Sequence, residues 1–487
     1  MKIFRNLLCL IIFSSSILSA VNNYLSIDYK IIPLIQLNAP ALKVDVEIKG
    51  ILSDKIILDL PHKWAGMEYA DQVKNITIFD LKNSFKIIKN KDKHQLIITI
   101  PKINSLHLSY EIHQKKGDPS NVHEAIIRQD LIHAPGYSLF AYPHDLKWTH
   151  KLSFTVIWQD LPKDWQTISD HGVQQTLKFS SGISQLLHSI YVAGNIRMHQ
   201  IAEENAPVYL SLYGEFDLTD KDIIHFLNEI TESQRAFFKD SDFPYYAISI
   251  IEGRNPHSMG GTRLDNSFTA YLPKGLDLSQ YYILFAHENL HNWIGGKIRN
   301  NYQEQLNYWW TEGFTEYYAR VIAVRSGGMT FQQFMGQCNE FLNDYYTSPV
   351  LNEPNIRIKK DFWHNYDIEK LPYYRGFVFA LYLNGRIKLN NPAHSLDNVM
   401  QDLFKMSKTH KFSMDHFQRL MIPYLPQGIS NDIRNLIGKG ETIDLQPILS
   451  LLPLEKIKRG SKDIYQLKSN LSDNDKTKIK RFFEIKN

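Results

Sequence analysis

The sequence predicts a multidomain α+β protein. An amino-terminal β-sandwich is expected over residues 21–200 and a mixed, chemistry-bearing domain over 201–330, followed by a helical domain over 331–455 and a tail over 456–487. Three observations predict this order. Short runs in the first two hundred residues alternate apolar and polar side chains, the period of a half-buried strand. Past Tyr209 the apolar period lengthens to that of amphipathic helices. Beyond Thr330 the helical pattern continues almost without interruption.

The first twenty residues are expected to be a signal peptide rather than part of the fold. Lys2 and Arg5 give a positive start, Leu7 to Phe13 an apolar stretch, and Ser14 to Ala20 the small residues before a cut near Ala20. The mature chain is then exported, periplasmic or secreted. Cys9 leaves with the leader, so Cys338 has no disulfide partner within the chain. No later segment is a long uninterrupted apolar span, which predicts no membrane crossing after leader removal.

Strand runs follow. Leu42 to Lys49 alternates almost perfectly, and similar runs occupy Lys55–Leu60, Asn75–Leu81, His94–Ile100, Leu106–His113 and Lys151–Trp158. His107, His113, His133 and His144 keep no metal-ligand spacing and are expected as strand or surface residues. Thr219 and Asp222 form a capping box ahead of Ile223, Phe226, Leu227 and Ile230, which share one helical face. A strand is expected at Tyr245–Ile251, then a glycine turn at Gly260-Gly261, then Ser267–Leu272 as an edge strand able to pair with an extended peptide. Helices are expected at Phe331–Tyr346, Gly376–Ile387, Leu396–Met406 and Met414–Tyr424. The tail reads as a solvated basic end.

Composition narrows the function classes. The 487 residues are 43% hydrophobic and 22% charged, ordinary for a globular protein. The net charge is +4, of which Lys2 and Arg5 supply two, so no nucleic-acid partner is expected.

The chemistry concentrates in His287-Glu288-Asn289-Leu290-His291, an H-E-x-x-H motif. Two imidazoles four residues apart on a helix project from one face, as a tetrahedral zinc ion requires. The flanking Tyr281–Ala286 and Trp293-Ile294 are mostly apolar, with Asp277 or Ser279 as helix start and Gly295-Gly296 as stop. Burying two imidazoles and a carboxylate there is costly unless a cation satisfies them. Glu312, on a second helix expected over Asn307–Val324, completes a His287, His291, Glu312 set for one Zn2+, with a fourth position for water. Glu316 lies one turn on and is placed to accept the outer N–H of a ligating imidazole. Glu288 is then the general base toward the attacking water, and Tyr373 a candidate donor to the oxyanion.

Ala286 to Trp293, Trp310 to Tyr318 and Pro372 to Gly376 together resemble the gluzincin metallopeptidases. The glycyl aminopeptidase family is the nearer likeness and the aminopeptidase N family the more distant one. Leu60 to Gly66 is similar to a strand-end segment of the glycyl aminopeptidase amino-terminal domain. The resemblance implies a thermolysin-like zinc catalytic domain, with Glu312 as the third ligand and Tyr373 stabilising the transition state, Arg375 standing where the aminopeptidase N motif has lysine. It implies a peptide or protein substrate and aminopeptidase activity. These families hold the substrate amine with a glutamate near Gly260 and Gly261. Here that stretch has Arg263 and Asp265 instead, which keeps endopeptidase action open, with Gly260, Gly261 and Asp265 as candidate substrate contacts. A non-catalytic peptide-binding envelope module on a peptidase scaffold is the other alternative, against which Glu288 argues.

Overall fold

The computed structural model describes residues 25–36, 39–50, 54–64, 67–79, 86–99, 103–114, 123–146, 151–201, 206–240, 246–253, 260–275, 278–299, 303–460 and 462–486. The expected leader, Asp277, and Ala65 and Gly66 lie outside them. The fold is α+β, sheet-rich toward the amino terminus and helical toward the carboxyl terminus. It divides into two compact units, one comprising Met1–Asp217 with Phe243–Lys274, the other Leu218–Asp242 with Gly275–Asn487.

In the first unit the alternating runs form the strands their period predicts. Ala41–Lys49 buries every second side chain and pairs antiparallel with Ser26–Leu34 on one side and Ser105–His113 on the other. These belong to a six-stranded sheet completed by Thr176–Ser181, Leu152–Trp158 and Val73–Phe79. A four-stranded sheet holds Lys55–Asp59 and Gln95–Thr99 between Tyr142–Pro143 and Lys86–Asn90.

A five-stranded sheet of the same unit runs in the order Arg197–Ile201, Val208–Tyr213, Tyr246–Gly253, Ser267–Pro273, Gly260–Arg263. Ala247, Ile251 and Tyr271 of this sheet, with the adjoining Leu264, join the core of the amino-terminal strands. That shared core places these strands with the amino-terminal sheets, not in the separate domain expected over 201–330. Ser267–Pro273 is not the edge strand expected. It is buried throughout and paired on both sides, parallel to Tyr246–Gly253 and antiparallel to Gly260–Arg263. The glycine stretch itself is the edge.

The second unit is helical. Asp220–Phe238 opens with the expected capping box, in which Thr219 and Asp222 bond reciprocally. Leu278–Leu290 carries the motif, so Ser279 lies inside this helix instead of capping it. Gly313–Ser326, Phe331–Thr347, Tyr366–Asn390, Leu396–Ser407 and Met414–Met421 follow. The segment expected as a solvated tail is folded. Leu454–Arg459 and Lys462–Leu467 form a hairpin, and Asp473–Phe482 a helix with a Ser472–Asp475 capping box. Basic residues dominate its composition, but Ile464, Leu467, Ile479, Phe482 and Phe483 are buried and anchor it. Among the described residues no helix is long and apolar enough to cross a membrane, and Cys338 is a free, buried thiol.

Candidate metal centre

His287 and Glu288 lie in the last turn of the motif helix, and His291 just beyond it, where turn bonds from Asn292 and Trp293 carry the chain on. The helix is apolar nearly all round because it is buried nearly all round. Its polar groups are met individually: Gln234 donates to the Ala286 carbonyl (2.8 Å) and accepts from Asn289 (2.8 Å), while the Trp293 indole donates to Asp240 (2.8 Å). Glu312 sits at the joint between two helices, Tyr308–Thr311 and Gly313–Ser326, where a single helix was expected. The joint permits a close crossing with Tyr366–Asn390. A Cβ on Gly313 would lie 2.3 Å from the Gly376 Cα, and one on Gly376 would lie 1.9 Å from the Trp309 carbonyl oxygen. Only glycine fits at either position.

Three donors converge. The Nε2 atoms of His287 and His291 face each other at 3.0 Å, and Glu312 Oε2 lies 3.4 Å from each. The outer nitrogens have acceptors: His291 Nδ1 lies 3.1 Å from the Ile294 carbonyl oxygen and His287 Nδ1 lies 3.2 Å from Glu316 Oε1. With protons held on those outer nitrogens, two lone pairs and a carboxylate point at one spot. Such a convergence is repulsive unless a cation occupies it. Tetrahedral zinc with bonds of about 2.0–2.1 Å needs its donors about 3.3 Å apart, which this set already satisfies. Among the described residues, this is the one group of three whose donor atoms gather in this way.

Charge points the same way. Glu288, Glu312 and Glu316 share this site, and Arg320 pairs with Glu316 and lies 4.2 Å over the Phe341 ring. Two negative charges remain uncompensated in a buried site, and a divalent cation neutralises them. Without one the cluster holds a proton. Burial works against the imidazolium, but Glu316, Glu312 and Glu288 outweigh it and push His287 up to about 10. Burial also raises Glu288 above the ordinary carboxylate range, with His287 and His291 pulling it back.

Tyr373 joins this site. Its ring stacks on that of His287, with centroids 6.2 Å apart and planes 19° apart. Burial, followed by the fields of Glu312, Glu316 and Glu288, drives the phenol well above its usual value, so it remains protonated. Arg375 does not join. Almost fully buried, it donates to the carbonyls of Leu351 (2.9 Å) and Glu353 (2.6 Å) and so ties a loop to the helix. Arg320 was not singled out in the sequence, although its place four residues after Glu316 is a signal for a same-face ion pair.

Gly260, Gly261 and Asp265 belong to the first unit. Both glycines pair with Ser267–Pro273, opposite Tyr271 and Ala270. The Asp265 N–H donates to the His188 carbonyl (2.7 Å), and the Arg263 guanidinium reaches the Asp265 carbonyl at 3.3 Å.

Comparison with known proteins converges on this region. Residues 280–366, which hold all three donors, match the model of the M61 glycyl aminopeptidase family. No curated protein matches the chain in sequence. Among solved structures, an aminopeptidase N family protein from Idiomarina loihiensis superposes with a TM-score of 0.76 at 16% identity, covering 92% of this chain and 82% of its own. An M1 zinc metallopeptidase from Deinococcus radiodurans gives 0.53 at 11% identity, covering 87% and 95%. The resemblance to gluzincin zinc metallopeptidases is thus shown by sequence where the donors lie and by fold over most of the chain.

Proposed function

We propose that this chain is a zinc-dependent peptidase with one ion on His287, His291 and Glu312, acting as an aminopeptidase and exported by its amino-terminal leader. The observation that carries the reading is the meeting of two imidazole lone pairs and a carboxylate beside the buried Glu288. The arrangement is thermolysin-like in that the motif helix and the turn that ends it give the two imidazoles and the next helical segment gives the carboxylate. When bound, the ion supplies Lewis acidity toward water and the substrate carbonyl.

The remaining work belongs to the side chains. Glu288, whose carboxyl burial raises above its ordinary range, takes a proton from the attacking water and passes it to the departing amine as the C–N bond breaks. Tyr373 donates its phenolic proton as a hydrogen bond to the oxygen that gains charge. Glu316, held by Arg320, and the Ile294 carbonyl keep both imidazoles oriented. The substrate is a peptide.

A second reading, endopeptidase action by the same chemistry, is favoured by Arg263 on the edge strand, where the related families place an amine-binding glutamate. Hydrolysis of matched peptides with free and acetylated amino termini by zinc-loaded protein separates the two, since acetylation abolishes aminopeptidase turnover only. Glu288→Gln should retain zinc and lose at least about a hundredfold in kcat. Full turnover in that variant would remove Glu288 as the base.

A further inference from the structure

We propose that the face of helix Tyr366–Asn390 leading away from Tyr373 is an extended substrate subsite, in which Tyr366 and Lys370 take an aromatic side chain about three residues from the cleaved bond. The inference rests on the peptidase reading above and adds a specificity to it.

Tyr373 fixes which face of this helix meets the donor cluster, because its ring lies on His287. Tyr366 precedes it by seven residues, within about 20° of the same face and about 10 Å away along the axis. It is 70% exposed, the most exposed of the large hydrophobic side chains among the described residues. Between the two rings stands Lys370, its ammonium 5.3 Å from the Tyr373 centroid and 5.5 Å from that of Tyr366. Glu369 Oε1 lies 2.8 Å from that ammonium, so the strip carries little net charge.

Beneath it is a small separate core of Tyr308, Ile358, Phe362, Ile368 and Leu371, with Tyr373 packed at its margin. An exposed ring in line with Tyr373 is free to stack on an aromatic side chain of a peptide that extends from the cleaved bond along this face. An extended peptide advances about 3.3 Å per residue, so the 10 Å from Tyr373 to Tyr366 spans about three residues.

The test uses full-length, zinc-loaded protein and pairs of peptides: a short one cleaved at a given bond, and the same sequence extended on its carboxyl side, where an aminopeptidase substrate continues, with Phe, Ala or Glu at the third position. In the wild type, Phe at that position should raise kcat/KM about three- to tenfold over Ala, the size of an aromatic contact, chiefly through KM. In Tyr366→Ala that Phe-to-Ala ratio should fall to about one, and Tyr366→Phe should restore most of it. An unchanged ratio in Tyr366→Ala, or a preference for Glu over Phe, would overturn the assignment. Absence of hydrolysis of every peptide by the wild type would instead overturn the peptidase reading, and this inference with it.

Discussion

The crossing of Gly313 and Gly376 lends itself to a quantitative test. A methyl group at Gly376 would stand 1.9 Å from the Trp309 carbonyl oxygen, whereas real Cβ atoms do not approach within 3.0 Å, so the two helices must part by at least 1.1 Å. The overpacking should cost about 1–3 kcal/mol of stability. Its larger effect is on catalysis, because Tyr373 lies one turn from Gly376 on the displaced helix while His287 stays with the motif helix. Misplacement of a reacting group by about 1 Å lowers turnover by about a hundredfold. For Gly376→Ala we expect a folded protein with a lowered unfolding midpoint, bound zinc retained in near-stoichiometric amount, and kcat reduced about thirty- to three-hundredfold. Zinc content, circular dichroism melting and initial rates on one peptide suffice to measure all three. Wild-type turnover in a folded, zinc-loaded Gly376→Ala would show that the crossing distance does not set the position of Tyr373.

Two further outcomes are expected. Tyr373→Phe should lower kcat by about a hundred- to a thousandfold with KM within about threefold, as loss of a donor used only in the transition state requires, and an equal loss in both would make it a packing residue. In the first unit, burial raises Asp170 to about 7, Ser189 hydrogen-bonding to it notwithstanding and Asp265 adding to the rise. Between about pH 4 and pH 7 the folded state therefore holds a proton that the unfolded state has released. Stability falls as pH rises through that window, by up to about 1.4 kcal/mol per unit, and the loss is complete above it. Urea unfolding at pH 5 and pH 8 should show this decline in the wild type and lose it in Asp170→Asn. An equal slope in both would refute the assignment.

Strands were legible wherever one face is buried, as in Ala41–Lys49, because a period of two survives any tertiary context. The donor set was legible because two of its members stand four residues apart at the end of one helix and the third follows the Trp309-Trp310 pair closely. The extent of the Tyr373 helix was not. It was expected from Gly376, yet the helix begins at Tyr366, with Asn365 capping the Ile368 N–H (3.1 Å), and takes in Pro372, which removes one of its bonds. Packing of Ile368 and Leu371 into the small core outweighs the one lost bond. The role of Ser267–Pro273 was misread for a related reason. Apolar runs of that length suit edge and interior strands alike, and only pairing on both sides distinguishes them.

The hairpin and helix after Leu452 have a consequence for how the enzyme matures. Phe483 lies against Tyr317 and Phe334, and its carbonyl accepts from Arg325 at 2.7 Å, so it braces the helix that bears Glu316. A ribosome making about 5–20 residues per second needs roughly ten to thirty seconds to travel from Glu312 to Phe483. During that interval the acidic helix is made but lacks the contacts that Phe483 gives to Tyr317 and Arg325. The part that steadies the acidic helix is therefore among the last of the chain to be made.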